Sequence, residues 1–218
     1  MLRRVFLLGF LTTIVVIVAL AVGADIAARV IAEHQIASRA KSSTGAQNTS
    51  SSINSFPFLY DLLVDGDARS VAVDLRGVPI GPLTVDRVDV HVRDVHIDKS
   101  KLLYHHKVRV TSISSATASL IITASDITSA TGIPVTIAGN TVTASVAGVP
   151  IPVSVTVTGS DSLSFNVVGH RVLSFNLARS PVVPICPMQL TTRQSALQLS
   201  CTVSPVPASL IAALSSRS

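Results

Sequence analysis

An α+β, β-rich fold built on a strongly curved antiparallel sheet is predicted by three observations on this 218-residue chain. Val, Ser and Thr dominate after the first two dozen positions, a composition that favours half-buried strands. Alternating apolar runs recur from Arg69 onward, with turn signals between them. In two consecutive runs the alternation slips by one residue. Val71, Val73 and Leu75 give way to Val78 and Ile80 across Arg76-Gly77; Val88, Val90 and Val92 give way to Val95 and Ile97 across Arg93-Asp94. A slip turns the buried face outward unless a β-bulge absorbs it and bends the strand. Two slips in neighbouring strands therefore predict a sheet that bends around one or more helices.

The chain opens MLRRVFLLGFLTTIVVIVALAVGADIA. Arg3 and Arg4 precede an uncharged run from Val5 to Ala24, about the 20 residues that cross a bilayer as helix. Positive residues stay inside, so the rest of the chain is expected outside the cytoplasm. Residues 1–24 are a transmembrane anchor or a signal peptide, with small residues at Ala21 and Ala24 suited to cleavage. The expected location is the cell membrane, single-pass with the domain on the extracytoplasmic side, or secreted or periplasmic if the signal is removed. Export also predicts a disulfide between Cys186 and Cys201. Their spacing is not CxxC and no His lies near, which argues against a metal or redox pair.

Residues 25–41 read as an amphipathic helix. Ile26, Val30, Ala37 and Ala40 share one side, with Ala27 and Ile31 beside them and Glu33 and His34 interrupting. Residues 42–55, SSTGAQNTSSSINS, read as a flexible polar linker. The curved β domain then occupies 56–218. It begins with FPFLYDLL, where Phe58 and Leu62, and Leu59 and Leu63, are i,i+4 pairs suiting a short helix begun at Pro57. So dense an aromatic cluster after a polar stretch is expected to sit against an apolar cavity. Later strands are expected at 108–113, 116–123, 135–137, 142–146, 153–157, 163–167 and 173–177. A short helix capped by Ser125 or Asp126 and a terminal helix from Pro207 complete the order.

Net charge is +5. The arginines at 69, 76, 87, 93 and 109 are scattered and no aromatic stacking surface accompanies them, so nucleic acid is not an expected partner. An anionic membrane surface accounts for the sign. No GxSxG, P-loop or HExxH motif occurs, and Ser160-Asp161-Ser162 reads as a turn. His91 and His96 fall on a polar strand face with Asp89, Arg93 and Asp98. His105 and His106 are adjacent and point apart, and His34 and His170 stand alone. No enzyme activity, metal or cofactor is expected.

Two blocks carry a resemblance: Ala24, Asp25, Ala28, Ala32, Glu33, Ile36 and Ala37 in the helix, and Phe56-Pro57-Phe58-Leu59 with Leu62, Leu63 and Gly66 after the linker. In this order behind a membrane segment, they resemble the LmeA-like phospholipid-binding family of actinobacterial envelope proteins. The resemblance runs from Ala24 to about Leu177. It implies a TULIP-like fold, a bent sheet around a long N-terminal helix. It also implies a non-catalytic protein that binds a phospholipid or related amphiphile at the membrane. Such a protein would support cell-envelope lipid or lipoglycan biosynthesis or transport, with an envelope-biosynthesis enzyme as its protein partner. By this carry-over the lipid-binding residues are Phe56, Phe58, Leu59, Leu62, Leu63, Ile26 and Val30. The alternative is an exported β-sandwich module for adhesion or scaffolding, with no internal ligand.

Overall fold

Alternation along the chain is realised as two antiparallel sheets. The computed structural model describes residues 2–105, 107–158, 162–167, 170–176 and 186–215, with backbone alone at 2–15, 158, 170–173, 176, 210 and 213–215. His106 and the expected turn residues Ser160 and Asp161 lie outside the described residues, as does Leu177 at the end of the last expected strand. The first sheet runs β1 (Asn48–Ile53), β2 (Asp67–Ile80), β3 (Leu83–Ile97), β4 (Val110–Thr123), β11 (Ala196–Val203), β10 (Gln189–Arg193). The second runs in chain order through β5 (Val135–Ala138), β6 (Thr141–Val146), β7 (Val149–Thr158), β8 (Ser162–Val167) and β9 (His170–Asn176).

Neither sheet closes on itself or curls strongly, which corrects the expected wrapping sheet. The slips are real: Leu75, Val78 and Ile80 are all buried on β2, as are Val85, Val88 and Val95 on β3. They occur at the same level on both strands, however. Arg76 pairs with Arg87 and Val78 with Val85 on either side of Gly77; Ala68 pairs with Val95 and Ser70 with Arg93 on either side of Asp94. A bulge sets two residues against one and bends the strand. Here both strands carry the same number of residues across each slip and change face together. The turnover uses a left-handed residue each time, Gly77 at φ 62° and Asp94 at φ 50°.

The inward faces of the two sheets share one core. Leu75, Val88 and Leu120 from the first sheet join Leu163 and Phe165 from the second, with Ile127 between them. Ile127 belongs to α4 (Ala124–Thr131), whose capping box is formed by Thr123 and Asp126; the N-cap is Thr123, two residues before Ser125, and Asp126 closes the box from inside the helix. Phe165 and Phe175 meet edge to face, centroids 5.7 Å apart. Each leucine buried here contributes about 2 kcal/mol. Among the described residues these side chains pack into a single cluster. Cys186 and Cys201 form the expected disulfide, Cα atoms 6.0 Å apart, beside that core.

The expected helices at both ends exist: α1 (Leu2–Thr44) is a single unbroken helix, and α5 is Ala208–Ser215. Among the described residues no helix is long and apolar enough to cross a membrane; the side chains of residues 2–15, where the apolar run begins, lie outside that description. The stretch read as a flexible linker contains β1, paired with β2 from Asn48–Arg76 to Ile53–Val71. Its serines sit there because an edge strand needs little apolar surface, and α1 covers it. The Ser51 hydroxyl donates to the Glu33 carbonyl at 2.5 Å, and the Ile53 amide to Glu33 Oε1 at 2.8 Å.

Candidate functional site

The face of α1 that seats on the domain is the one interrupted by acids. Asp25 is buried, and Ala28, Ala32, Glu33, Ile36, Ala37 and Ala40 are half-buried along the same side. Ile26 and Val30 lie on the other side, 54% and 56% exposed. This corrects their expected place inside a tunnel. Apolar spacing is right for Ala37 and Ala40, which seat, and wrong for Ile26 and Val30, because it ignores carboxylates that bond to backbone. Asp25 accepts from the Phe58 amide at 3.1 Å and the Leu59 amide at 2.6 Å, satisfying the start of α2 (Phe58–Tyr60) across the helix boundary. The signal that finds this face is the pair of blocks beginning at Ala24 and Phe56.

The helix expected from Pro57 forms, as α2 followed by a wide turn over Asp61–Asp65 that ends at left-handed Gly66. Phe58 is buried, Leu59 and Leu62 are half-buried, and Phe56 and Leu63 are exposed, Phe56 by 63%. The expected lipid-binding residues therefore separate: Phe58, Leu59 and Leu62 pack inward, and Phe56, Leu63, Ile26 and Val30 face out. Of the seven, Phe56 alone lines the cleft described next.

A cleft of about 510 Å³ opens beside Phe56, lined also by Asn54, Arg69, Ser70, His91 and Arg93. Strand pairing assembles it. Ser70 is directly opposite Arg93 and Ala72 opposite His91, so alternate residues of β2 and β3 project to one face. The Ser70 hydroxyl and His91 Nε2 are 3.0 Å apart. Such a pair is half of a nucleophile and base, but among the described residues no carboxylate bonds the other ring nitrogen. Arg69 is partly committed. Its Nη2 donates to Asp61 Oδ1 at 3.2 Å, while Nε lies 3.1 Å from Oδ2 without hydrogen-bond alignment, and Asp61 is buried. Arg93 has no ion-pair or hydrogen-bond partner among the described residues. Arg69 and Arg93, with Phe56 at the rim, give the cleft two cations and an apolar edge. Neither Arg93 nor His91 was expected to bind anything, since an outward polar face reads as solvated surface.

Further along the same face a second cleft of about 410 Å³ includes Ser50, Ser52, Asp74, Arg87 and Asp89. Its charges are paired, two acids against Arg87 with Arg76 alongside. Arg87 meets Asp74, and bonds to Asp89 at 3.0 Å, while Arg76 lies 3.4 Å from Asp74. The two acids hold the Arg87 guanidinium above its ordinary range, Asp89 most of all. Burial pushes the Asp89 carboxyl up, and Arg87 partly opposes it. Among the described residues no cluster of His, Cys, Asp or Glu is arranged to hold a metal.

The sequence profile of the LmeA-like phospholipid-binding family matches residues 23–216, nearly the whole chain beyond the apolar run and well past Leu177. The match takes in the disulfide and α5. No curated protein and no solved structure matches the chain.

Proposed function

The chain belongs to the LmeA-like phospholipid-binding family, and from that premise we propose that it is an exported, membrane-held, non-catalytic phospholipid-binding protein. Its lipid phosphate sits in the cleft between Arg69 and Arg93, with acyl chains leaving past Phe56. The observation that carries this reading is Arg93, a cation without a partner, facing a cleft of hydrogen-bond donors beside an exposed aromatic ring. Guanidinium and phosphate match in geometry and charge. The apolar run of α1 supplies the membrane attachment, and binding at that surface would serve the biosynthesis or transport of cell-envelope lipids or lipoglycans, alongside an envelope enzyme.

Native mass spectrometry of the full chain, released from mild detergent, is expected to show bound phospholipid. Affinity for a short-chain phosphatidylglycerol should fall about tenfold or more in Arg93→Ala, the loss expected for one charge-assisted contact. Apo mass alone, with no uptake of added lipid, would overturn the reading. Equal uptake by wild type and Arg93→Ala would leave lipid binding but remove the phosphate from this cleft.

A second reading, a scaffold that works through its surface, draws on the packed two-sheet core. The same titration separates the two, because a scaffold takes up no phospholipid.

A further inference from the structure

We infer that the end of the domain formed by the turn after α2 and by α3 (Lys99–His105) is a bilayer-seating surface whose partner is an anionic phospholipid membrane. The inference rests on the membrane-held reading above and assigns it a second contact, remote in sequence from the N-terminal helix. Tyr60, Leu63 and Val64 on one element, and Leu103, Tyr104 and Val108 on or just after the other, are all exposed. Single exposed apolar residues are ordinary, but six on two adjoining elements form a patch. Outside α1, the other large exposed apolar side chains among the described residues are Phe56 of the cleft and the hairpin pair Val146 and Val149.

Hydrogen bonds fasten these pieces together and to the end of the apolar run. Asp25, the residue after that run, accepts from the first amides of α2. The Ile97 amide donates to the Gly66 carbonyl at 2.7 Å, and Lys99 Nζ donates to the Val64 carbonyl at 2.6 Å. Gly66 makes the approach possible, since a Cβ there would stand 2.9 Å from Lys99 Cγ and the backbone is left-handed at φ 72°. The patch therefore lies at the level where α1 would leave a membrane.

Charge identifies the partner. Lys101, Lys107 and Arg109 surround the α3 side and have no ion-pair partner among the described residues. The carboxylates at this end are Asp65, Asp67, Asp94 and Asp98, with Asp61 buried in the turn against Arg69; Asp67 lies 3.4 Å from His96 Nδ1, and Asp98 accepts from the Lys101 amide at 3.1 Å. Both tyrosines of the chain are here. Tyrosine favours the headgroup level of a bilayer, where its ring is apolar and its hydroxyl hydrated, and basic residues beside it attract anionic lipid. A water-soluble protein partner would not require the patch to share a level with the end of the apolar run.

The chain has no tryptophan, so a single one reports its own surroundings. Full chains carrying Tyr60→Trp, Tyr104→Trp or, as a control on the second sheet, Val149→Trp would be reconstituted in vesicles of phosphatidylcholine and phosphatidylglycerol with brominated acyl chains. The first two are expected to emit blue-shifted and lose most of their emission to the bromines, the control to do neither. Lys107→Glu with Arg109→Glu should weaken quenching of the Tyr104→Trp reporter. Unquenched Tyr104→Trp emission overturns the inference, whatever Tyr60→Trp does. So does a blue shift that precedes vesicle addition and grows with protein concentration, which would mean that a second copy covers the patch. Phosphatidylglycerol uptake that depends on Arg93 tests the cleft alone, so either reading can fail without the other.

Discussion

Replacing Asp25 by alanine removes both acceptors of the Phe58 and Leu59 amides from a site where water has little access. The expected cost is about 2–4 kcal/mol, the value of charge-assisted bonds plus two buried donors left unmet. Urea unfolding followed by circular dichroism measures it; a change below about 0.5 kcal/mol would mean that α2 keeps its place without α1. Asp89 gives a pH effect of the opposite kind from most paired acids. Burial raises its folded-state pKa above the ordinary 3.8, so the folded protein binds the proton more tightly than the unfolded one. Its ionised form therefore costs stability at neutral pH, and that cost disappears as pH falls through the raised value toward 3.8. Asp89→Asn should melt above wild type at neutral pH, and the gap should close on acidification. A gap that widens instead would show that Arg87 outweighs burial.

Elements recorded their type in the sequence more faithfully than their partners. The strands from Val135 to Val167 follow period-two alternation, and their described bounds overlap the expected ones throughout. β1 escaped because its residues are mostly serine, and what makes it a strand is pairing with β2 and cover from Glu33, neither of which is local. β10 and β11 are absent from the expected strands, which end at 177, although Ala196, Gln198 and Ser200 alternate with buried Leu197, Leu199 and Cys201. The disulfide ties the approach to β10 to the middle of β11. Substituting both cysteines by serine should cost about 3 kcal/mol, the loop-closure term for 15 residues, besides the packing of two buried sulfurs. Denaturant titration of the full chain checks the figure, and an unchanged midpoint would mean that β11 is held by β4 alone.

For the whole molecule, the fold class was legible and the shape was not. Periodicity establishes that β2 and β3 change face, but whether a change of face bends a sheet depends on what the opposite strand does at that level. The candidate site was half legible: the block from Phe56 was singled out, while Arg93 and His91 needed strand register before they became neighbours of Phe56. The uninterrupted course of α1 has a mechanical outcome. From Asp25 to Thr44 the helix runs about 30 Å at 1.5 Å per residue, with no hinge between its apolar stretch and the body docked along it. Leaning the rod leans the body by the same angle, so under the proposed attachment the helix would set the stance of the protein on a membrane, and a proteolytic cut just ahead of Asp25 would release a body that keeps the docking contacts described from Asp25 onward.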